Sequence, residues 1–257
     1  MKTAMYAYRP DRTRVDLPEG EVWDRWLDPA HSAIACIDMH RSHVDASDEI
    51  PCPAPRAWAR VGAHNAFHRA ARRIGVPVIH VQHWQRHGGI DDIASKGPNP
   101  GANWRWTCQL YLPDNPLMDE LAWEGTRWVD LMVEEVEGDL YVRSKKRLSA
   151  FYPTDFEFLL RQLDVHNLVL TGTLTDCCVI NSAFDAANRD FRVIVPQDVV
   201  AGMTEVHEEA ALTIIASHLG LVVDAPALLG EWYARAGADL PDDAMEPVDA
   251  PVLGSNS

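Results

Sequence analysis

Three residues with complementary chemical abilities stand at comparable places in this chain: the carboxyl of Asp38, the ammonium of Lys145 and the thiol of Cys178. A thiol with an ordinary pKa of about 8.5 needs help to ionise near neutrality. A helix N-terminus supplies roughly half a positive charge, and a nearby ammonium stabilises a thiolate further. A carboxylate beside the thiol can take its proton and later hand it to a leaving amine. Backbone N–H groups at a strand-to-helix turn can hold the oxyanion formed when sulfur attacks a carbonyl. Each residue also has a plainer reading. Asp38 could cap a turn, Lys145 could belong to a solvated cluster in "RSKKR", and Cys178 could be a small buried thiol. Their joint occurrence in one setting favours the chemical reading.

That setting is a succession of elements. Residues 32–37, "SAIACI", form a nearly continuous apolar run that ends at Asp38, the pattern of a parallel strand buried on both faces. Residues 56–74 repeat apolar positions at helical spacing, and Gly75 and Pro77 end them. Further strands are predicted at 76–81, 139–143, 167–173, 192–196 and 221–223. Helices are predicted at 154–163 (opened by a Thr154/Glu157 capping box), 178–190, 205–218 and 226–236. The alternation predicts a single-domain three-layer α/β/α fold with a six-stranded, mostly parallel, Rossmann-like sheet. Crossovers are right-handed in such sheets, and ligands bind beyond the carboxyl ends of the strands. Asp38, Lys145 and Cys178 all fall at that edge. Residues 1–30, interrupted by Pro10, Pro18 and Pro29, read as an extended arm, residues 31–236 as the domain, and residues 237–257 as a flexible tail. The irregular stretch from 82 to about 124 carries Trp84, Trp104 and Trp106 and reads as an ordered lid or a subunit contact.

Composition narrows the field. The chain has 257 residues, 47% of them hydrophobic, enough for a sizeable core. A formal net charge of −15 repels phosphate backbones and anionic lipid, so neither nucleic acid nor membrane is an expected partner. No run approaches the roughly 18 apolar residues of a membrane span, and the first 16 residues lack the apolar stretch of a secretory signal, so a cytoplasmic location is expected. The five cysteines are odd in number and irregularly spaced, which reads as free thiols without a zinc ladder.

The residues resemble the isochorismatase-like cysteine hydrolase superfamily, which includes nicotinamidases, N-carbamoylsarcosine amidases, biuret and ureidoacrylate hydrolases, and isochorismatases. The similarity runs from about residue 32 to 229. "ACIDMH" is similar to the first strand of that family with its catalytic aspartate, "KKRLSAFYPTDFEFLL" to its lysine segment, and "TGTLTDCCVINSAFDAANRDFRVIVPQD" to its nucleophile segment. The resemblance implies a Cys178–Asp38–Lys145 catalytic set, a non-proline cis peptide between Thr173 and Leu174, and an oxyanion hole from the backbone N–H groups of Leu174 and Cys178. It implies hydrolysis of a C–N bond in a small amide, ureido, carbamoyl or hydrazide substrate through a thioester. It also implies no cofactor and a homodimer or homotetramer, and Asp198 matches a structural aspartate.

Departures from the pattern are informative. Cys177 adjoins Cys178, but Val179 sets the motif register on Cys178; Lys146 is the alternative if the lysine segment shifts by one. His43 stands where an aromatic pocket residue is common, and with Trp84, Trp104 and Trp106 it is a candidate for substrate contact. The Asp-x-His metal pair of nicotinamidases is not reproduced at Gln82 and His83, so no metal is expected despite His80, His83 and His87. The rivals from other classes are a non-catalytic Rossmann-like binding protein, against which the absence of GxGxxG and P-loop motifs argues, and a thiol-redox protein using Cys177 and Cys178.

Overall fold

A computed structural model describes residues 5–47, 49–88, 91 and 115–248. At its centre β3 (Ser32–Ile37) lies between β4 (Val78–His83) and β6 (Asn167–Thr173), parallel to both. With β5 (Leu140–Lys145), β7 (Arg192–Pro196) and β9 (Gly220–Val223), the strand order is β5-β4-β3-β6-β7-β9. The six expected strands are present. A seventh, the two-residue β8 (Val200–Ala201), pairs with the end of β6 and is too short to leave a periodic signal.

The continuous apolar runs are explained by the layers. Along β3, Ile34 and Cys36 enter one core cluster while Ala33, Ala35 and Ile37 enter the other, as strand periodicity requires. On the first face pack α3 (Val61–Arg73) and α7 (Ala225–Arg235), with Phe67 stacked on Trp232. On the second pack α4 (Phe156–Gln162), α5 (Ile180–Ala187) and α6 (Glu205–His218). The chain builds outward from β3 through β4 to β5, then returns to β6 on the other flank of β3. That reversal sets a topological switch point at the ends of β3 and β6, the place where open α/β sheets receive ligands. Gly172 makes the close approach there possible: its φ is +102°, and a Cβ would meet the Ile37 carbonyl oxygen at 2.0 Å.

Several boundaries differ from expectation. The helix expected over 56–74 is divided into α2 (Pro55–Trp58) and α3, because Arg60 leaves helical dihedrals and its guanidinium donates to the Gln197 carbonyl and to Glu208. β5 runs on to Lys145, which is therefore the last residue of the strand. The capping box does not form: Thr154 Oγ1 accepts from Phe156 N–H, but Glu157 turns to Arg161 and Arg189. The supposed extended arm contains a hairpin, β1 (Tyr6–Tyr8) with β2 (Arg14–Asp16), and a short helix α1 (Glu21–Trp26). Both hairpin tyrosines donate to Asp224, which tethers the arm to the end of β9. Of the tail expected to be flexible, residues 237–248 return to α3: Ala244 is buried, and Val248 N–H donates to the Gly62 carbonyl. Among the described residues no helix is long and apolar enough to cross a membrane.

Candidate active site

Asp38 is the first residue beyond β3, and its backbone sits in the left-handed region at φ +51°, uncommon for a non-glycine residue. Its backbone N–H is held by the Val81 carbonyl at 2.8 Å, and its Oδ1 accepts from the His83 N–H at 2.7 Å. These bonds aim the second oxygen, Oδ2, across the sheet edge, where Lys145 Nζ donates to it at 2.6 Å. The β4–β5 register that makes this possible pairs His83 with Lys145 after an extra residue in β5. The same ammonium reaches Cys178 Sγ at 3.3 Å, so Lys145 bridges carboxylate and sulfur. Lys146 points elsewhere, to Asp91 at 3.0 Å and the Trp84 carbonyl. Asp38, Lys145 and Cys178 are all buried.

Cys178 does not begin an α-helix. Residues Thr175–Val179 form a π-turn between β6 and α5, with the Val179 N–H donating to the Leu174 carbonyl five residues back at 3.1 Å. Single π-turns of this kind are frequent at functional sites. The wide turn lowers Cys178 toward Lys145 while Ser182 Oγ, one turn on, donates to the Cys178 carbonyl at 2.7 Å and fixes it. The Thr173–Leu174 peptide just before the turn is cis. A second cis peptide, Tyr152–Pro153, was not expected from the sequence, although a Tyr-Pro dipeptide is its available signal.

The charge states follow from burial and pairing. Burial pushes the Asp38 carboxyl up, but the Lys145 ammonium, with smaller help from His40, His83 and His43, outweighs it and holds the group well below the usual carboxylate range. Burial pushes Lys145 down; Asp38 and then Cys178 outweigh that and raise it. The Cys178 thiol donates to Cys177 Sγ at 4.0 Å; that contact and burial push it well above the ordinary thiol range, while Lys145 pulls it down. The site therefore holds a buried Asp38–Lys145 ion pair beside a thiol whose ionisation burial and Cys177 oppose and Lys145 favours. The sequence showed the ammonium that favours ionisation of the thiol but not the depth of burial that opposes it.

Two histidines completing this surround were not singled out as site residues. His40 is fully buried, 3.9 Å from Asp38 Oδ1, with no hydrogen bond of normal geometry at either ring nitrogen; burial takes its pKa down to about 3. Its signal was the offset of two residues from Asp38. His83 holds Asp38 through its backbone and contacts Gln85 through its ring. His43, a predicted contact residue, is brought to the site: its Nδ1 lies 3.1 Å from the Cys52 carbonyl, and its ring centroid is 5.0 Å from that of His40. Because a carbonyl only accepts, Nδ1 carries the proton. Trp84 packs on a small cluster around Cys52 and Met118, with Nε1 3.4 Å from Glu124. Trp104 and Trp106 lie outside the described residues.

The histidines weighed for a metal are dispersed. His80 pairs with Asp139 at 3.0 Å and stacks on Tyr141, whereas His87 lies against Trp123. Gln82 Nε2 donates to the Val129 carbonyl at 2.6 Å, so the residues do not fit a nicotinamidase-type metal pair. Asp198 accepts from the Ala225 N–H at 2.6 Å and secures the first turn of α7.

Comparison with known proteins adds the family. The isochorismatase domain model matches residues 32–227. The chain belongs to the isochorismatase family. An isochorismatase family protein of Bacillus subtilis (strain 168) is 34% identical over 200 residues, covering 74% of this chain and 97% of that protein. A ureidoacrylate amidohydrolase of Methylobacterium radiotolerans is 32% identical over 234 residues, 83% of this chain and 86% of that protein. Among solved structures, an isochorismatase family protein from Desulfovibrio vulgaris superposes with a TM-score of 0.64 at 26% identity, covering 77% and 96% of the two chains. A cysteine hydrolase from Pseudomonas syringae pv. phaseolicola shares the fold with a TM-score of 0.68 at 22% identity over 81% and 95%. The isochorismatase match leaves out the hairpin and the segment returning to α3.

Proposed function

We propose that this protein hydrolyses a C–N bond of a small amide or ureido compound, with Cys178 as nucleophile, Asp38 as proton carrier and Lys145 as electrostatic partner of both. The observation that carries the reading is the buried Lys145 ammonium, 2.6 Å from Asp38 Oδ2 and 3.3 Å from Cys178 Sγ. An arrangement for redox chemistry would need neither the lysine nor the carboxylate. The ureidoacrylate amidohydrolase relative supports a ureido or amide substrate.

As substrate enters, Asp38 takes the Cys178 proton while the sulfur attacks the carbonyl carbon, so that deprotonation and C–S bond formation are coupled. The carbonyl electron pair moves to oxygen, which the N–H groups of Leu174 and Cys178 hold. Collapse expels the nitrogen, which takes the proton from Asp38 and leaves as ammonia or an amine. Water then attacks the thioester, again giving a proton to Asp38; the C–S bond breaks and the sulfur is reprotonated. An ammonia-release screen over amides and ureides tests this, with Cys178→Ala as control. Release by the native chain and only background from the variant is expected; equal release by both would discard Cys178 as nucleophile.

A further inference from the structure

A second cluster of metal-ligating groups lies at the opposite edge of the sheet. His31 immediately precedes β3, His166 immediately precedes β6, and Asp164 lies in the turn after α4. The two strands are neighbours, and the His166 N–H donates to the His31 carbonyl at 2.9 Å, so the backbone itself brings the two imidazoles together. Their ring centroids are 5.4 Å apart. Between them stands the Asp164 carboxylate: Oδ1 is 3.3 Å from His166 Nε2, and Oδ2 is 3.7 Å from His31 Nε2. One donor atom from each of the three residues falls within 4.8 Å of the others, the one such group among the described residues.

We infer that His31, Asp164 and His166 form a surface site for a late first-row divalent cation such as zinc. Two ligands held about 2.0–2.1 Å from one tetrahedral zinc are themselves about 3.3 Å apart, close to the spacings found here. Two imidazoles and one carboxylate suit zinc, cobalt or nickel; magnesium and calcium prefer sites built from oxygen. The outer shell is present as well. His31 Nδ1 makes no hydrogen bond and lies 3.9 Å from Asp28 Oδ2, placed to donate to that carboxylate once Nε2 binds metal. Side-chain exposures of 41%, 48% and 75% for His31, His166 and Asp164 leave the remaining coordination positions to water. The six residues of β3 separate this cluster from Asp38 by roughly 20 Å, so the cation would clamp the starts of β3 and β6 and take no part in catalysis.

Titration of the chelator-treated full chain with Zn2+ alone, followed calorimetrically, tests the site. One equivalent is expected to bind to the native chain and to Cys178→Ala, with affinity weakened more than about tenfold in both His166→Ala and Asp164→Asn. Saturating Zn2+ should raise Tm by roughly 5 °C in the native chain and not in those two variants. A Co2+ spectrum without a thiolate charge-transfer band would confirm nitrogen and oxygen ligation. Indistinguishable titrations of the native chain and both variants, or binding that requires Cys178, would overturn the proposal. Hydrolysis by His166→Ala should stay at the native level, which keeps this test separate from that of the catalytic cysteine.

Discussion

Strands β3 and β6 lie side by side, and their two ends carry titratable clusters of opposite character. At the carboxyl end, Asp38 and Lys145 are both fully buried and meet at 2.6 Å. At the amino end, His31 and His166 are half-exposed and Asp164 largely so, and its carboxylate stands 3.7 and 3.3 Å from the two imidazoles. The difference shows what burial does to charge. A group removed from water must be paired or neutral, and its pairing is then strong and short. A group left in water keeps its hydration, interacts weakly with its neighbours and remains available to a ligand.

The largest expected break in the comparison comes from acid. Burial lowers the pKa of His40, His43, His64, His68 and His83, to about 3 for His40 and about 4 for His64. These rings stay neutral in the folded chain but take up protons in the unfolded chain below about pH 6.5, so stability falls as pH falls from there. Each ring contributes a loss of up to about 1.4 kcal/mol by pH 5.5. Asp38 behaves differently: its contribution, from a depressed pKa, persists until the pH drops below the unfolded carboxylate range. Urea midpoints should therefore decline between pH 6.5 and 5; a flat profile there would contradict neutral burial of the histidines.

Next in size is Lys145→Ala, which strands a buried carboxylate and should cost about 3–5 kcal/mol in urea unfolding. Adding Asp38→Asn to that variant should recover part of the loss, because the uncompensated charge is gone. Additive losses would mean that the pair is not coupled. A smaller effect is expected of Cys177→Ala. Removing the sulfur that accepts from Cys178 should lower the Cys178 pKa and move the pH profile of iodoacetamide alkylation downward. A profile shifted upward would assign Cys177 the opposite influence. Smallest of all, Asp164→Asn at the exposed end should change metal-free stability by no more than about 0.5 kcal/mol. A larger loss would show that the amino end is more tightly organised than its exposure implies.

Much of this contrast was legible one strand at a time. "SAIACI" followed by Asp38 and "NLVLTGT" ahead of Cys178 announce two-sided strands that deliver polar residues to one edge, and the motif register favoured Lys145 over Lys146 and Cys178 over Cys177. Less legible was whatever depends on two distant segments meeting. His40 looked like one of several histidines in a turn, and nothing local showed that it is closed off from solvent beside Asp38. The break at Arg60 was hidden because its cause, Glu208, lies 148 residues away. Helix signals for 178–190 concealed the π-turn, since a single widened turn does not disturb the apolar spacing of α5.

The sequence by itself determined the order of strands and helices, the sheet edge at which the carboxylate, ammonium and thiol emerge, and the motif that marks Cys178 as the candidate nucleophile. Those features are written in side-chain periodicity and in short runs of neighbours. Only the tertiary structure decided that burial and Cys177 push the Cys178 thiol up, that three buried histidines surround Asp38, and that His31 faces His166 across 135 residues of chain. Protonation depends on how completely water is excluded, and encounters between distant residues depend on strand register; both arise when the layers close.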